Sequence, residues 1–258
     1  MARISYDEPT AVAYKAVREV PRDGLSDWRE AVRRHLRPSP GMTLVDIGAG
    51  TGAFAAAFSD WFDVSVVAIE PSAAMREQIQ RAPSIEVFEG SASALPLPDD
   101  SADAAWLSNV IQHIPDLGVA AQEIRRVLRP GAPVLIRAGV SHRGLPSSGY
   151  DGVENVRWFP ETARVVDTFP SVEETCRAFA AAGFHQDAHE LVRETQPSSL
   201  ADFLDQVDTL RQADTTLRGL TEDEFLRGKE RLRRAVRQAE ETGNPDTRSN
   251  SLDLLVLR

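Results

Sequence analysis

Leu25, Trp28, Val32 and Leu36 recur at spacings of three and four, which predicts an amphipathic helix over 26–37, preceded by a second over 8–19. Pro38-Ser39-Pro40-Gly41 breaks the pattern, and 42–47 is a short β-prone run ending in a glycine cluster. Strands and helices then alternate. A helix follows Gly52; strands are predicted over 64–70, 85–88, 104–107 and 134–137; and helices are predicted over 72–81 and 119–128, the latter stopped by Pro130-Gly131. Such alternation predicts βαβ units with right-handed crossovers, hence a doubly wound, mostly parallel α/β sheet.

After Gly139 the pattern gives way to an irregular stretch rich in Gly, Ser and Pro reaching about Pro170. A helix over 171–182 closed by Gly183 and a strand over 188–192 follow. Leu200, Phe203, Leu204, Val207 and Leu210 mark an amphipathic helix over 199–211. Thr221 and Glu224 form a capping box for another helix running to about 240, and the apolar run 252–257 suits a buried strand. The expected organisation is a single domain over 1–258: a Rossmann-like core from 38–196 and 246–258, with a helical cap from 1–37 and 197–245.

Composition narrows the function. With 42% hydrophobic and 26% charged residues the chain has ordinary globular usage. Its net charge of −10 is the wrong sign for broad contact with phosphate backbones, so no nucleic-acid partner is expected. The longest apolar run, 53–58, is far short of the roughly 20 residues that span a membrane, and the first residues lack the apolar core of a signal peptide. A cytoplasmic location is expected. The one cysteine, Cys176, excludes an internal disulfide and a Cys-based zinc site, and it reads as a packed helix residue. His185 and His189 stand four apart on a predicted strand, ~13 Å in extended chain, so no metal site is expected.

Candidate chemistry centres on Val45-Asp46-Ile47-Gly48-Ala49-Gly50-Thr51-Gly52, at the carboxyl end of the first predicted strand, where open α/β sheets bind ligands. Gly48, Gly50 and Gly52 permit a tight turn and close backbone approach. The spacing Gly48-x-Gly50-x-x-Ala53 also satisfies the dinucleotide fingerprint, so the loop alone leaves a nicotinamide oxidoreductase open. Asp46 would face a pyrophosphate at close range, a repulsive arrangement, whereas S-adenosylmethionine carries an ammonium and a sulfonium there. Glu70 closes the second strand, placed to accept hydrogen bonds from both ribose hydroxyls of either cofactor.

Four segments in order, LVDIGAGTG, VVAIEPSAAM, FEGSASALPLPDDSADAAWLSNVIQHIPD and EIRRVLRPGAPVLI, resemble the motifs of class I S-adenosylmethionine-dependent methyltransferases over about residues 40–140. The likeness is to small-molecule methyltransferases of bacterial secondary metabolism. It implies a seven-stranded sheet with the last strand antiparallel, S-adenosylmethionine as cofactor and a small-molecule acceptor. Gly48, Ala49, Gly50 and Gly52 then line the methionine end beside Asp46; Glu70 holds the ribose; Pro71 and Met75 lie near the adenosine; Ser91 and Ala92 flank the adenine; Asn109 stands under the methionine. Ser91 replaces a frequent Asp, Ala49 a frequent Cys, Ala132 a Gly, and Gln112 the first of two histidines. Relatives that keep the cofactor but have lost or diverted methyl transfer are the alternative.

Around this site, His113 is a candidate general base or a residue that orders its loop. Tyr6, Tyr14 and Arg18 resemble a lid over the cofactor, with Arg18 placed to pair the methionine carboxylate, or they belong to a helix packed at the sheet edge. Trp158 and Phe159 are plugs under their loop or walls of an acceptor pocket. Phe203, Leu204, Phe225 and Trp158 suggest an acceptor with a hydrophobic or aromatic body. The arginines at 231, 233, 234 and 237 read as a solvated helix face.

Overall fold

A computed structural model describes residues 6–18, 22–138, 154–195, 198–243 and 249–258. Seven strands form one sheet: β1 (Thr43–Ile47), β2 (Ser65–Ile69), β3 (Ile85–Phe88), β4 (Ala104–Ser108), β5 (Val134–Ala138), β6 (Gln186–Thr195) and β7 (Ser249–Leu257), in the order β3-β2-β1-β4-β5-β7-β6. β1 through β5 pair in parallel, and β7 runs antiparallel to both β5 and β6.

Central strands are apolar on both faces because helices cover both. On one face Val45, Ile47, Leu107 and Ile136 bury against Ala120, Ile124 and Val127 of α5 (Leu117–Val127), with Phe179 of α8 (Val172–Ala180) extending the same core. On the other, Leu44, Val66, Trp106 and Leu254 bury against Trp28, Val32 and Leu36 of α2 (Ser26–Leu36) and Phe58 of α3 (Ala53–Phe62). The spacing of Trp28, Val32 and Leu36 is therefore answered by the sheet, and α2 lies with the core layer. α1 (Glu8–Arg18) packs on α9 (Leu200–Ala213).

A separate apolar cluster joins the helices in the region where the cap is expected. Trp158 and Phe159, at the end of α6 (Glu154–Trp158), join Phe203, Val207 and Leu210 of α9, Leu217 of α10 (Thr215–Arg218), and Phe225 and Leu232 of α11 (Glu222–Thr242). Phe159 stacks on Phe225 at 5.5 Å between centroids. Gly228 makes room for it, since a Cβ there would lie 2.0 Å from Phe159 Cδ1. Capping boxes start α8 at Ser171, α9 at Ser199 and α11 at Thr221.

Two expectations are corrected. The helix expected over 72–81 is a single turn, α4 (Ala73–Arg76), followed by i+3 bonds from the Gln78 and Ile79 amides to Met75 and Arg76. This tightening turns Ile79 inward against Gly52, where it is buried. The stretch expected to be irregular up to Pro170 contains α6 and α7 (Ala163–Val166), whose Val165 and Val166 bury with Phe169. Residues 139–153 lie outside the described set.

Candidate functional site

Strand order reverses between β1 and β4, and the glycine loop leaves β1 at that point, where ligands of doubly wound sheets bind. The loop is tied to β2 by the Gly48 and Ala49 amides, which donate to the Ile69 carbonyl at 2.7 and 3.1 Å. Gly48, with φ +71°, lies so close to Val110 that a Cβ would come within 2.4 Å of Val110 Cγ2. At Gly50, φ +57°, the Cβ position opens onto free space.

Glu70 is buried, and its carboxylate is held by backbone donors: the Gly50 amide to Oε2 and the Ser72 amide to Oε1, each at 2.9 Å. Burial raises its pKa, against the opposing pull of these amides and of Arg76. A carboxylate offers about four acceptor positions, so Glu70 closes the loop and keeps further acceptor capacity. Asp46 is 1% exposed, and its carboxyl accepts a bond from the Ala55 amide while Oδ2 has no hydrogen-bond partner. Burial, reinforced by Glu70, pushes its pKa up to about 8.

Asn109, just past β4, has φ +53°. Its amide donates to the Arg137 carbonyl at 2.7 Å, and its carbonyl accepts from Gln112 Nε2 at 2.8 Å. Gln112, noted in sequence only as a departure, thus fastens this turn. Beneath it, Arg137 is buried in an ion pair with Glu194, donates to Ser108 Oγ, and lies over the rings of Trp28 and Phe54. Neither Arg137 nor Glu194 was expected from sequence, where an arginine in a β-run carries no signal of a partner fifty-seven residues on.

His113 ends a short 3-10 turn, Ile111–His113. The N-terminal segment reaches it: Tyr6 Oη lies 3.3 Å from His113 Nε2, and the rings meet edge to face at 5.9 Å. Tyr14 meets Tyr6 edge to face at 6.4 Å, and Ser72 Oγ donates to the Tyr6 carbonyl at 2.6 Å. Met75 and Ala92 are buried and Pro71 and Ser91 exposed. Arg18 ends α1, with its side chain outside the described set. Trp158 and Phe203 are buried in the cap's own core, away from solvent. Of the arginines at 231, 233, 234 and 237 on α11, Arg231 binds the Trp158 carbonyl and Glu161, and Arg233 and Arg237 pair with Glu230. Among the described residues no group of His, Cys, Asp and Glu is arranged to hold a metal.

A methyltransferase domain family matches residues 45–136, from β1 through β5. The ubiquinone/menaquinone biosynthesis C-methyltransferase of Caulobacter vibrioides is 35% identical over 121 residues, covering 42% of this chain and 48% of that protein. The chain spans about half the length of the curated relatives it matches. Among solved structures, one described as a methyltransferase from an antibiotic biosynthesis pathway of Anabaena variabilis superposes with a TM-score of 0.69 at 20% identity, over 90% of this chain and 96% of that one. The geranyl diphosphate C-methyltransferase of Streptomyces coelicolor, solved with S-adenosyl-L-homocysteine, gives 0.56 at 17% identity, over 90% and 76%. The reversal of β7 in an otherwise parallel sheet, the glycine loop at the switch point and these likenesses agree: residues 45–136 match a methyltransferase domain, and the sheet has the fold of the class I S-adenosylmethionine-dependent methyltransferases.

Proposed function

We propose that the chain binds S-adenosylmethionine at the carboxyl ends of β1, β2 and β4 and methylates a small acceptor with a hydrophobic or aromatic body. The observation that carries this reading is the pair of buried carboxyls at the switch point. Glu70 is closed onto the loop by the Gly50 amide, and Asp46 is left with an unpartnered oxygen. A buried carboxyl without a partner is costly, and a cation relieves that cost. Glu70 would hold the ribose; Asp46, with Gly48, Ala49, Gly50, Gly52 and Asn109, the methionine end; Pro71, Met75, Ser91 and Ala92 the adenosine; Tyr14 and Arg18 the cover. When bound, S-adenosylmethionine supplies an electrophilic methyl.

The protein's share of the rate is then positioning, which can supply several kcal/mol, with His113 placed to take a proton from an acceptor that does not ionise readily. The acceptor would sit between the Ile111–His113 turn, Tyr6 and the cap. Trp158 and Phe203, buried in the cap core, shape that roof. The likeness to a protein of an antibiotic pathway supports a natural-product acceptor. A cytoplasmic role without nucleic acid is part of the proposal, supported by the charge of −10; among the described residues no helix is long and apolar enough to cross a membrane. Incubation with S-adenosylmethionine labelled in its methyl group and a panel of phenols, hydroquinones and polyketide-like acceptors tests it. Labelled product by mass supports the reading. Cofactor binding without transfer to any of them favours a diverted activity.

A further inference from the structure

We propose that Tyr6 is a positioning residue: it fixes the imidazole of His113 and couples it, through Ser72, to the carboxylate that closes the glycine loop. This rests on the reading of the site given above. Three bonds form a continuous path across the mouth of the sheet. The Ser72 amide donates to Glu70 Oε1 at 2.9 Å, Ser72 Oγ donates to the Tyr6 carbonyl at 2.6 Å, and Tyr6 Oη meets His113 Nε2 at 3.3 Å. The Ser72 hydroxyl has one proton, given to Tyr6, while it accepts the Met75 amide as the cap of α4. Ser72 therefore holds the backbone of the N-terminal segment at one defined point.

The imidazole is approached by the phenol edge to face, at 87° between planes, so ring packing and the hydrogen bond constrain the same torsions. Its base is equally fixed. The His113 amide donates to the Val110 carbonyl at 2.8 Å, and Val110 is the residue against which Gly48 packs. A displacement of the glycine loop thus reaches His113 from two sides, through Val110 and through Ser72 and Tyr6. A phenylalanine would reproduce the packing. The hydroxyl adds control of which ring nitrogen carries the proton, because a partner at Nε2 selects the tautomer.

The test is long-range nitrogen-proton NMR of the imidazoles in wild type, Tyr6→Phe and Ser72→Ala, with the His113 signals assigned by their loss in His113→Gln. Spectra are taken free and saturated with S-adenosylhomocysteine, and calorimetry is run on the same samples. In the free protein, wild type is expected to show one dominant His113 tautomer, and both variants a mixture. Saturation should sharpen the wild-type preference and leave Tyr6→Phe mixed, while affinity for S-adenosylhomocysteine changes by less than about threefold, since the phenol bonds the acceptor side. Identical His113 signals in wild type and Tyr6→Phe, free or bound, overturn the proposal. Absence of binding heat in wild type counts against the cofactor reading instead, and the comparison in the free protein still decides the Tyr6 link.

Discussion

Asp46 concentrates the chemistry of the site in one side chain. Its carboxyl has an ordinary value of 3.8 in the unfolded chain and about 8 in the fold, where burial and Glu70 both disfavour the anion. The folded-state value is the higher one, so the Asp46 contribution to stability is full below about pH 4 and is lost as pH rises from there through 8. Asp46→Asn cannot ionise. Its melting temperature should match wild type near pH 4 and exceed it by several degrees at pH 8, while its affinity for S-adenosylmethionine falls; an equal difference at both pH values would refute the placement. The loop glycines divide in the same way. Gly50→Ala should cost about 1–2 kcal/mol for its positive φ alone, and Gly48→Ala more, because Val110 must also move. Urea unfolding of the two variants measures both; equal costs would show that the contact with Val110 is readily relaxed.

At the scale of elements, β1 to β5 and β7 were legible because each reads as a short, mostly apolar β-prone run, and α9 and α11 because their apolar stripes follow capping residues. The shortening of α4 was not legible, since nothing local marks the inward turn that seats Ile79 on Gly52. β6 outruns its apolar stretch because pairing with β7 carries it through Glu194, whose partner Arg137 lies on β5. Glycines 48, 50 and 52 were visible by their spacing, Glu70 by its place at a strand end, but Ser72, Val110 and Arg137 act through contacts that only the fold creates. Removing one partner of a buried ion pair leaves the other charge stranded, so Glu194→Ala should destabilise the protein by about 3–5 kcal/mol. A loss under about 1 kcal/mol in denaturant titration would mean that Arg137 finds water or another acceptor. α1, resting on α9 with Tyr6 over His113, is the element expected to respond to ligand. Amide exchange across 6–18 should slow on adding S-adenosylhomocysteine, and unchanged exchange would assign α1 to static packing.

For the whole molecule, the sheet reverses its strand order where the loop, both buried carboxyls and Asn109 converge. The two buried carboxyls, Asp46 and Glu70, are the feature of this convergence on which the proposed cofactor reading rests. The account therefore stands on one interaction, between Glu70 with its loop and the cofactor. Calorimetric titration of wild type and Glu70→Ala with S-adenosylmethionine, with NAD as the competing ligand, tests it most directly. Wild type should bind S-adenosylmethionine and not NAD. Glu70→Ala, still folded by circular dichroism, should bind at least tenfold more weakly, the loss of charge-assisted hydrogen bonds worth about 1.5–3 kcal/mol each. Equal affinity in the two proteins, or binding of NAD in place of S-adenosylmethionine, would contradict it.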